Sequence, residues 1–380
     1  MSTTTTIPQE LVDSIIGKVD GTESLKACSL VCWNFRRPSQ RILLRSLTLD
    51  DYTPRYSAAY VLLTESPHIA RYVRNLTVRL TWVAISAPSD AEDFLRMLEK
   101  LTSVDRFAIA AHCTWDALSP VVSAVLNLIQ RGRLEELHFS FIEKLPRSVL
   151  ALSLTSVSAL SFNHVIVDES TEVPDDGLPA AKTLQTLTLF NCSGLDAVLA
   201  RQEFRTYLAN LRILRLGSHP GFSSDVMSIA GPTLEHILFD CSGLVFSSPM
   251  RSLPPLAKLR SIDFQFPINH FYEDGFTAML SQLFSTLPES VSEISVSDSS
   301  PTSPLELQLL NAATSLDRML GKRAGRLSLR WRLNFPKDEK GLACLRSFAE
   351  TVQRRMPTLH EKGELTVERR DDARKWPPRL

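Results

Sequence analysis

Histidines and carboxylates do chemistry when a fold gathers several of them on one surface, and this sequence supplies few sets that qualify. Its eight histidines are well separated. His138 and His236 fall on outward-facing positions of two different predicted strands, and His112 and His164 fall at or beyond strand ends. A pair converging on one face would be a start toward metal binding or proton transfer, but single solvated or capping histidines are the plainer expectation. Asp263 and Glu293, also on outward strand positions, could form a carboxylate pair, and charges on a solvated face account for them equally well. Cys28 and Cys32 can share a helical face, yet no second cysteine or histidine pair at metal-ligand spacing follows them. There is no glycine-rich phosphate loop after a strand, no Gly-x-Ser-x-Gly elbow and no His-Glu-x-x-His. The sequence therefore points to a chain without catalytic, metal-binding or cofactor-binding residues, whose work is binding.

Lysine plus arginine total 42 and aspartate plus glutamate total 42, so no global field steers the chain onto nucleic acid or an anionic membrane. The start, Met1 to Thr6, lacks the basic segment and apolar run of a signal peptide. No stretch reaches the roughly 18 to 20 consecutive apolar residues of a membrane helix. The six cysteines are scattered, several of them in apolar runs, which is the pattern of buried free thiols in a reducing compartment rather than of a disulfide framework. These features predict a soluble protein of the cytoplasm or nucleus, without a nucleic-acid or membrane partner.

The elements that must position these residues repeat. Leu184, Leu187, Leu189, Cys192 and Leu195 fit the leucine-rich pattern L-x-x-L-x-L-x-x-C-x-x-L. Strand cores of the same kind begin at Val73, Val104, Leu134, Val157, Leu184, Leu211, Leu234, Leu259 and Val291, at spacings of 23 to 32 residues, and Arg326 to Leu329 reads as a further, degenerate strand. Amphipathic helical patterns lie between them, the best being 91–101, 118–130, 195–208, 275–287 and 342–356. A strand-then-helix unit cannot bury its apolar face alone and must stack on its neighbours. Strand leucines then point inward, and the alternate row Thr77, Ala108, His138, Ser161, Thr188, Arg215, Leu238, Asp263 and Ser295 points outward. On that row, His138, Thr188, Arg215 and Asp263, with Phe190 just after a strand core, are the candidate substrate-binding residues. Stretches 168–177 and 297–304 read as loops, and 371–380 as a flexible tail.

Residues 1 to about 50 differ in kind. Pro8 and Glu10 suit the start of a helix whose apolar stripe is Leu11, Val12, Ile15, Ile16 and Val19, and Asp20-Gly21 is expected to stop it. A second helix is predicted to carry Leu25, Cys28, Leu30, Val31 and Phe35, and Pro38 to start a short third one with Ile42, Leu43 and Leu44. Ser46 to Leu49 alternates like a strand. Three short helices bury little surface, so such a unit usually leans on a neighbour. The run Ile7-Pro8-Gln9-Glu10-Leu11, then Ile15-Ile16, then Leu25 through Cys28-Ser29-Leu30-Val31-Cys32-Trp33-Asn34-Phe35, resembles the F-box, particularly in its fungal members. The family commonly has tryptophan where this chain has Phe35, and Trp33 is displaced from that place by two residues; the opening Leu-Pro of many members is Ile7-Pro8 here.

The resemblance implies an α/β protein with an N-terminal three-helix F-box at 1–50 and an irregular leucine-rich-repeat solenoid at 51–370, a horseshoe with parallel strands on its concave face. It implies that Ile7, Pro8, Leu11, Ile15, Leu30 and Val31 contact a Skp-type adaptor, which connects to a cullin, while the repeats hold a protein substrate for ubiquitin transfer. On that expectation the chain takes no covalent step, and the ligase works by proximity. A repeat scaffold whose N-terminal helices merely cap the array is the alternative.

Overall fold

The computed structural model describes residues 7–50, 55–80, 88–171, 183–217, 224–240, 253–266, 283–298, 310–323 and 325–369. The chain is an α/β protein built on parallel strands, and it divides into two compact units, 1–157 with 171–179, and 158–170 with 180–380. Within the first unit the change from helices to strands falls at Ser46, so the sequence boundary at 50 cuts after the first strand of the sheet rather than before it. Residues 172–177, 299–304 and 371–380, read as loop or tail, lie outside the described residues, as does most of the predicted helix 275–287.

The first unit opens with α1 (Gln9–Ile16), α2 (Thr22–Val31) and α3 (Trp33–Leu43). Pro8 is the N-cap of α1, and its carbonyl accepts from the N–H groups of Leu11 and Val12. The helix stops at Ile16 rather than at Asp20-Gly21; Gly21, at φ 97°, is instead the N-cap of α2, a backbone conformation that favours glycine. Cys32 is fully extended and breaks the chain between α2 and α3, so Phe35 belongs to α3. Pro38 does not start the third helix but lies inside it. A proline there has no N–H for the carbonyl four residues earlier, and that carbonyl, of Asn34, accepts from Gln9 Nε2 at 3.1 Å. The substitute donor comes from α1, which is why local sequence gave the wrong helix start. Val12, Ile16 and Leu25 form a small core with Val19, Cys28, Phe35 and Leu43 packed around it.

Then follow β1 (Ser46–Asp50), β2 (Asn75–Leu80), β3 (Arg106–Thr114) and β4 (Glu136–Glu143), parallel and paired in chain order, and the two-residue β5 (Leu145–Pro146). Leu47, Leu76, Phe107 and Leu137 stand in register, as do Leu49, Val78, Ile109 and Phe139. Helices over 55–65, 88–100, 119–130 and 147–156 connect or follow these strands.

The second unit repeats the arrangement with β6 (Ala159–Asn163), the two-residue β7 (Val167–Asp168), β8 (Thr186–Phe190), β9 (Ile213–Gly217), β10 (His236–Asp240), β11 (Ser261–Phe266), β12 (Glu293–Asp298), β13 (Ser328–Leu333) and β14 (Leu365–Arg369). Except for β7, these strands pair in parallel, each with the next. The degenerate strand is therefore real, and β14, which the sequence reading did not mark, follows it. Two inward ladders run through the pairs, Leu160-Leu187-Leu214-Ile237-Ile262-Ile294-Leu329-Leu365 and Phe162-Leu189-Leu216-Phe239-Phe264-Val296-Trp331-Val367. Leu184, Leu187, Leu189, Cys192 and Leu195, the five positions of the clearest repeat, are all buried. The predicted helix 195–208 is two helices, Leu195–Leu199 and Gln202–Leu208, separated at the extended Arg201. The predicted helix 342–356 is Glu339–Arg355, with Asp338 accepting from Gly341 N at 2.7 Å.

Leu187 is wholly buried between in-register Leu160 and Leu214. Leu187→Asp is expected to strand a carboxylate in this ladder at a cost on the order of 4 kcal/mol. Limited proteolysis checks it: the variant should be cut within residues 183–217 under conditions that leave the wild type intact. Equal resistance would place Leu187 off the core.

Candidate functional site

The N-terminal helices carry a concentrated apolar surface. Among the described residues, seven of the eleven exposed large apolar side chains lie between residues 7 and 42. Ile7, Leu11 and Ile15 are 57, 56 and 55 % exposed; Leu11 and Ile15, four residues apart, share one side of α1, and Ile7 lies just before the N-cap Pro8. The sequence stripe thus splits, because Val12 and Ile16 turn about 100° away from Leu11 and Ile15 and are buried. At the end of α2, Leu30 is 85 % and Val31 67 % exposed. Pro8 is exposed as well. All six residues singled out for adaptor contact are therefore open: Leu11 and Ile15 on α1, Leu30 and Val31 on α2, and Ile7 and Pro8 leading into α1; both helices pack against α3. Sequence reasoning did not include Trp33, which is 63 % exposed with Arg36 and Arg37 5.6 and 5.5 Å from its ring centroid. Its position directly after the Leu-Val-Cys run was the available signal.

The outward strand row has the expected register. Thr77, Ala108 and His138 are in-register partners in the first unit, and Ser161, Thr188, Arg215, Leu238, Asp263 and Ser295 in the second, where Arg330 and Thr366 continue the row. The expectation that the row lies open holds only in part. Arg215, Leu238 and Asp263 are half-buried, and so is Phe190, but His138 and Thr188 are buried and offer a partner little surface. Neighbouring strands lie about 4.8 Å apart, so a short side chain such as that of Thr188 is covered when Phe190 and Arg215 flank it.

The histidines turn out to have local tasks. His138 is 5 % exposed; its Nε2 sits 2.6 Å from Ser140 Oγ, and its Nδ1 meets no partner. Burial drives its pKa down to about 4, so it is neutral at pH 7 and not the solvated group expected. His236 Nδ1 lies 2.6 Å from Ser261 Oγ, His112 stacks on Phe141 with centroids 4.2 Å apart, and His164 Nε2 lies 3.0 Å from Asn191 Nδ2.

Asp263 and Glu293 do share a neighbourhood, but through a cation. Arg332 lies 4.0 Å from Asp263, 3.9 Å from Glu293 and 2.7 Å from Glu368, and Arg330 lies 3.3 Å from Glu293. Burial pushes the Asp263 carboxyl above its usual range, and Arg332 pulls it back in part. Sequence reasoning missed Arg332; the alternation of Leu329, Trp331 and Leu333 around it was the signal.

Cysteines behave unevenly. Of the five described, all free thiols, only Cys192 is buried; Cys28 and Cys113 are half-buried, and Cys32 and Cys344 are exposed. Cys192 Sγ donates to the Phe190 carbonyl at 3.1 Å, and burial pushes its pKa up to about 12, which leaves it a protonated packing group. No group of three or more potential metal-ligating side chains is found among the described residues, and no described helix is long and apolar enough to cross a membrane. No protein-family model matches the sequence, and no curated protein matches it either.

His138 gives stability a defined pH dependence. The unfolded imidazole protonates near 6.5 while the folded one resists until about 4, so its stabilisation is complete above pH 6.5 and is lost as pH falls through that window. The loss should reach roughly 3 kcal/mol. Urea unfolding from pH 7 to 4 should show a fall in the wild type larger by about that amount than in His138→Gln; parallel curves would mean that the imidazole titrates freely.

Proposed function

We propose that this protein is the substrate-receiving subunit of a Skp-cullin-F-box ubiquitin ligase. On this reading α1 to α3 are the F-box and dock a Skp-type adaptor, and the parallel strands belong to a leucine-rich-repeat array that holds the protein to be modified. The observation that carries the reading is the set of exposed apolar residues Leu11, Ile15, Leu30 and Val31 on two helices, with Ile7 just before the first, beside a buried core of only Val12, Ile16 and Leu25. A small helical unit that leaves so much apolar surface in water is built to be covered by a partner. The burial of Leu184, Leu187, Leu189, Cys192 and Leu195 supports the leucine-rich reading of the strands. The chain would then contribute no bond-making group, and transfer would depend on holding a target lysine near the charged conjugating enzyme.

Interface energy concentrates in a few apolar anchors. Leu11→Ala combined with Val31→Ala removes two exposed side chains, so the fold should melt as before. Capture of a recombinant Skp-type adaptor, measured by surface plasmon resonance, should weaken at least about tenfold. Undiminished capture by the double variant, or none by the wild type, would sink the assignment.

A further inference from the structure

On the outward face of the second unit's strands, charged side chains almost all have partners. Arg332 reaches Glu368, Glu293 and Asp263, Arg330 reaches Glu293, His236 is joined to Ser261, and Asp240 is also engaged. Arg215 is the exception among the described residues: it is half-buried in the middle of β9, and its side chain makes no hydrogen bond, ion pair or ring contact. Two residues further along the same strand, on the same face, is Gly217, which Phe190 covers. A Cβ at Gly217 would fall 1.8 Å from Phe190 Cδ1, so the glycine is what lets the ring lie across the strand. Phe190 is itself half-exposed, and so is Leu238, the in-register neighbour of Arg215 on β10. A free cation and an aromatic surface thus sit side by side.

Their spacing limits what fits. Strand residues rise about 3.3 Å each, so the two positions lie about 7 Å apart along β9, which is also the distance between side chains i and i+2 of an extended peptide. We propose that Arg215 and Phe190 form a two-point site for an extended protein segment bearing an anionic side chain two positions from an apolar one. This rests on the reading of the strand face as the surface that receives the substrate. A guanidinium takes a carboxylate or a phosphate through paired N–H donors, so the anion is either an acidic residue or a phosphorylated hydroxyl. Elsewhere on the face an incoming anion would have to compete with Glu293, Glu368 and Asp263 for Arg330 and Arg332; at Arg215 it displaces nothing.

The test uses the full-length chain and three fluorescein-labelled peptides on a Gly/Ser backbone. They differ only at the position two residues before a leucine, which holds glutamate, phosphoserine or glutamine. In fluorescence anisotropy, at least one anionic peptide should bind about tenfold or more tighter than the glutamine peptide. Arg215→Gln should abolish that advantage, and Arg215→Lys, which keeps the charge without the paired donors, should leave an intermediate one. Phe190→Ala should weaken every peptide that binds; Phe190→Leu, which keeps apolar bulk, should weaken them less and serves if the alanine variant melts early. The preferred anionic peptide identifies the source of the anion. Equal binding of all three peptides, an advantage that survives Arg215→Gln, or no binding to the wild type overturns the proposal. Adaptor capture is measured on the same proteins: its absence would sink the ligase reading alone, and failed peptide binding with capture intact would sink this site alone.

Discussion

The backbone carbonyl immediately before a strand accepts two N–H groups from the start of the following strand, and the rest of the sheet architecture depends on this relay. Arg45 O accepts from Arg74 and Asn75, Arg74 O from Asp105 and Arg106, and Asp105 O from Glu135 and Glu136. In the second unit Ser158, Gln185, Arg212, Glu235 and Arg260 do the same for the strands after them, at 2.8 to 3.2 Å. Each relay sets where the next strand begins, and a slip of one residue would turn its whole apolar set to the wrong face. The two inward ladders of each unit follow from it.

Because the relay is made by the main chain, it asks nothing of the side chains at those positions, which here include arginine, aspartate, serine, glutamine and glutamate. This explains how repeats so unequal in sequence and length still stack in register. What varies is how the chain leaves the strand. After β6 and β8 it turns through left-handed His164 and Asn191, at φ 52° and 51°, and His164 N donates to the Phe190 carbonyl at 2.8 Å. Such conformations cost non-glycine residues on the order of 1 kcal/mol, and here the carbonyl of Phe190 compensates by also accepting from the buried Cys192 thiol.

The N-terminal helices follow the opposite logic. Their core is small, and seven large apolar side chains, from Ile7 to Ile42, face water. The Gln9–Asn34 hydrogen bond and the Asp13–Arg41 ion pair, at 3.7 Å, tie α1 to α3 without using any of the exposed apolar side chains. The open surface is therefore free of structural duty, which is what allows it to be assigned to a partner in the proposed function. Trp33 extends it, steadied by two arginines rather than by burial.

Alternation is a local property, so the sequence alone determined which strand residues face inward and, within each unit, which residues of neighbouring strands align. It placed Leu11, Val12, Ile15 and Ile16 in one apolar stripe and could not divide them into an open pair and a buried pair. It did not place the third helix, which runs through Pro38, and the Asn34 carbonyl that the proline leaves vacant accepts from Gln9 of another helix. It could not rank the outward row either. Whether His138 is buried, Arg215 is unpaired or Arg332 is shared among three carboxylates depends on what stands on neighbouring strands, which the chain reaches only after many residues: 25 between His236 and Ser261, and 36 between Arg332 and Glu368. Inward positions are fixed by one strong preference, apolar burial, that acts on each residue separately. Outward positions are set by pairwise charge and cover, and those pairs exist only once the strands have stacked.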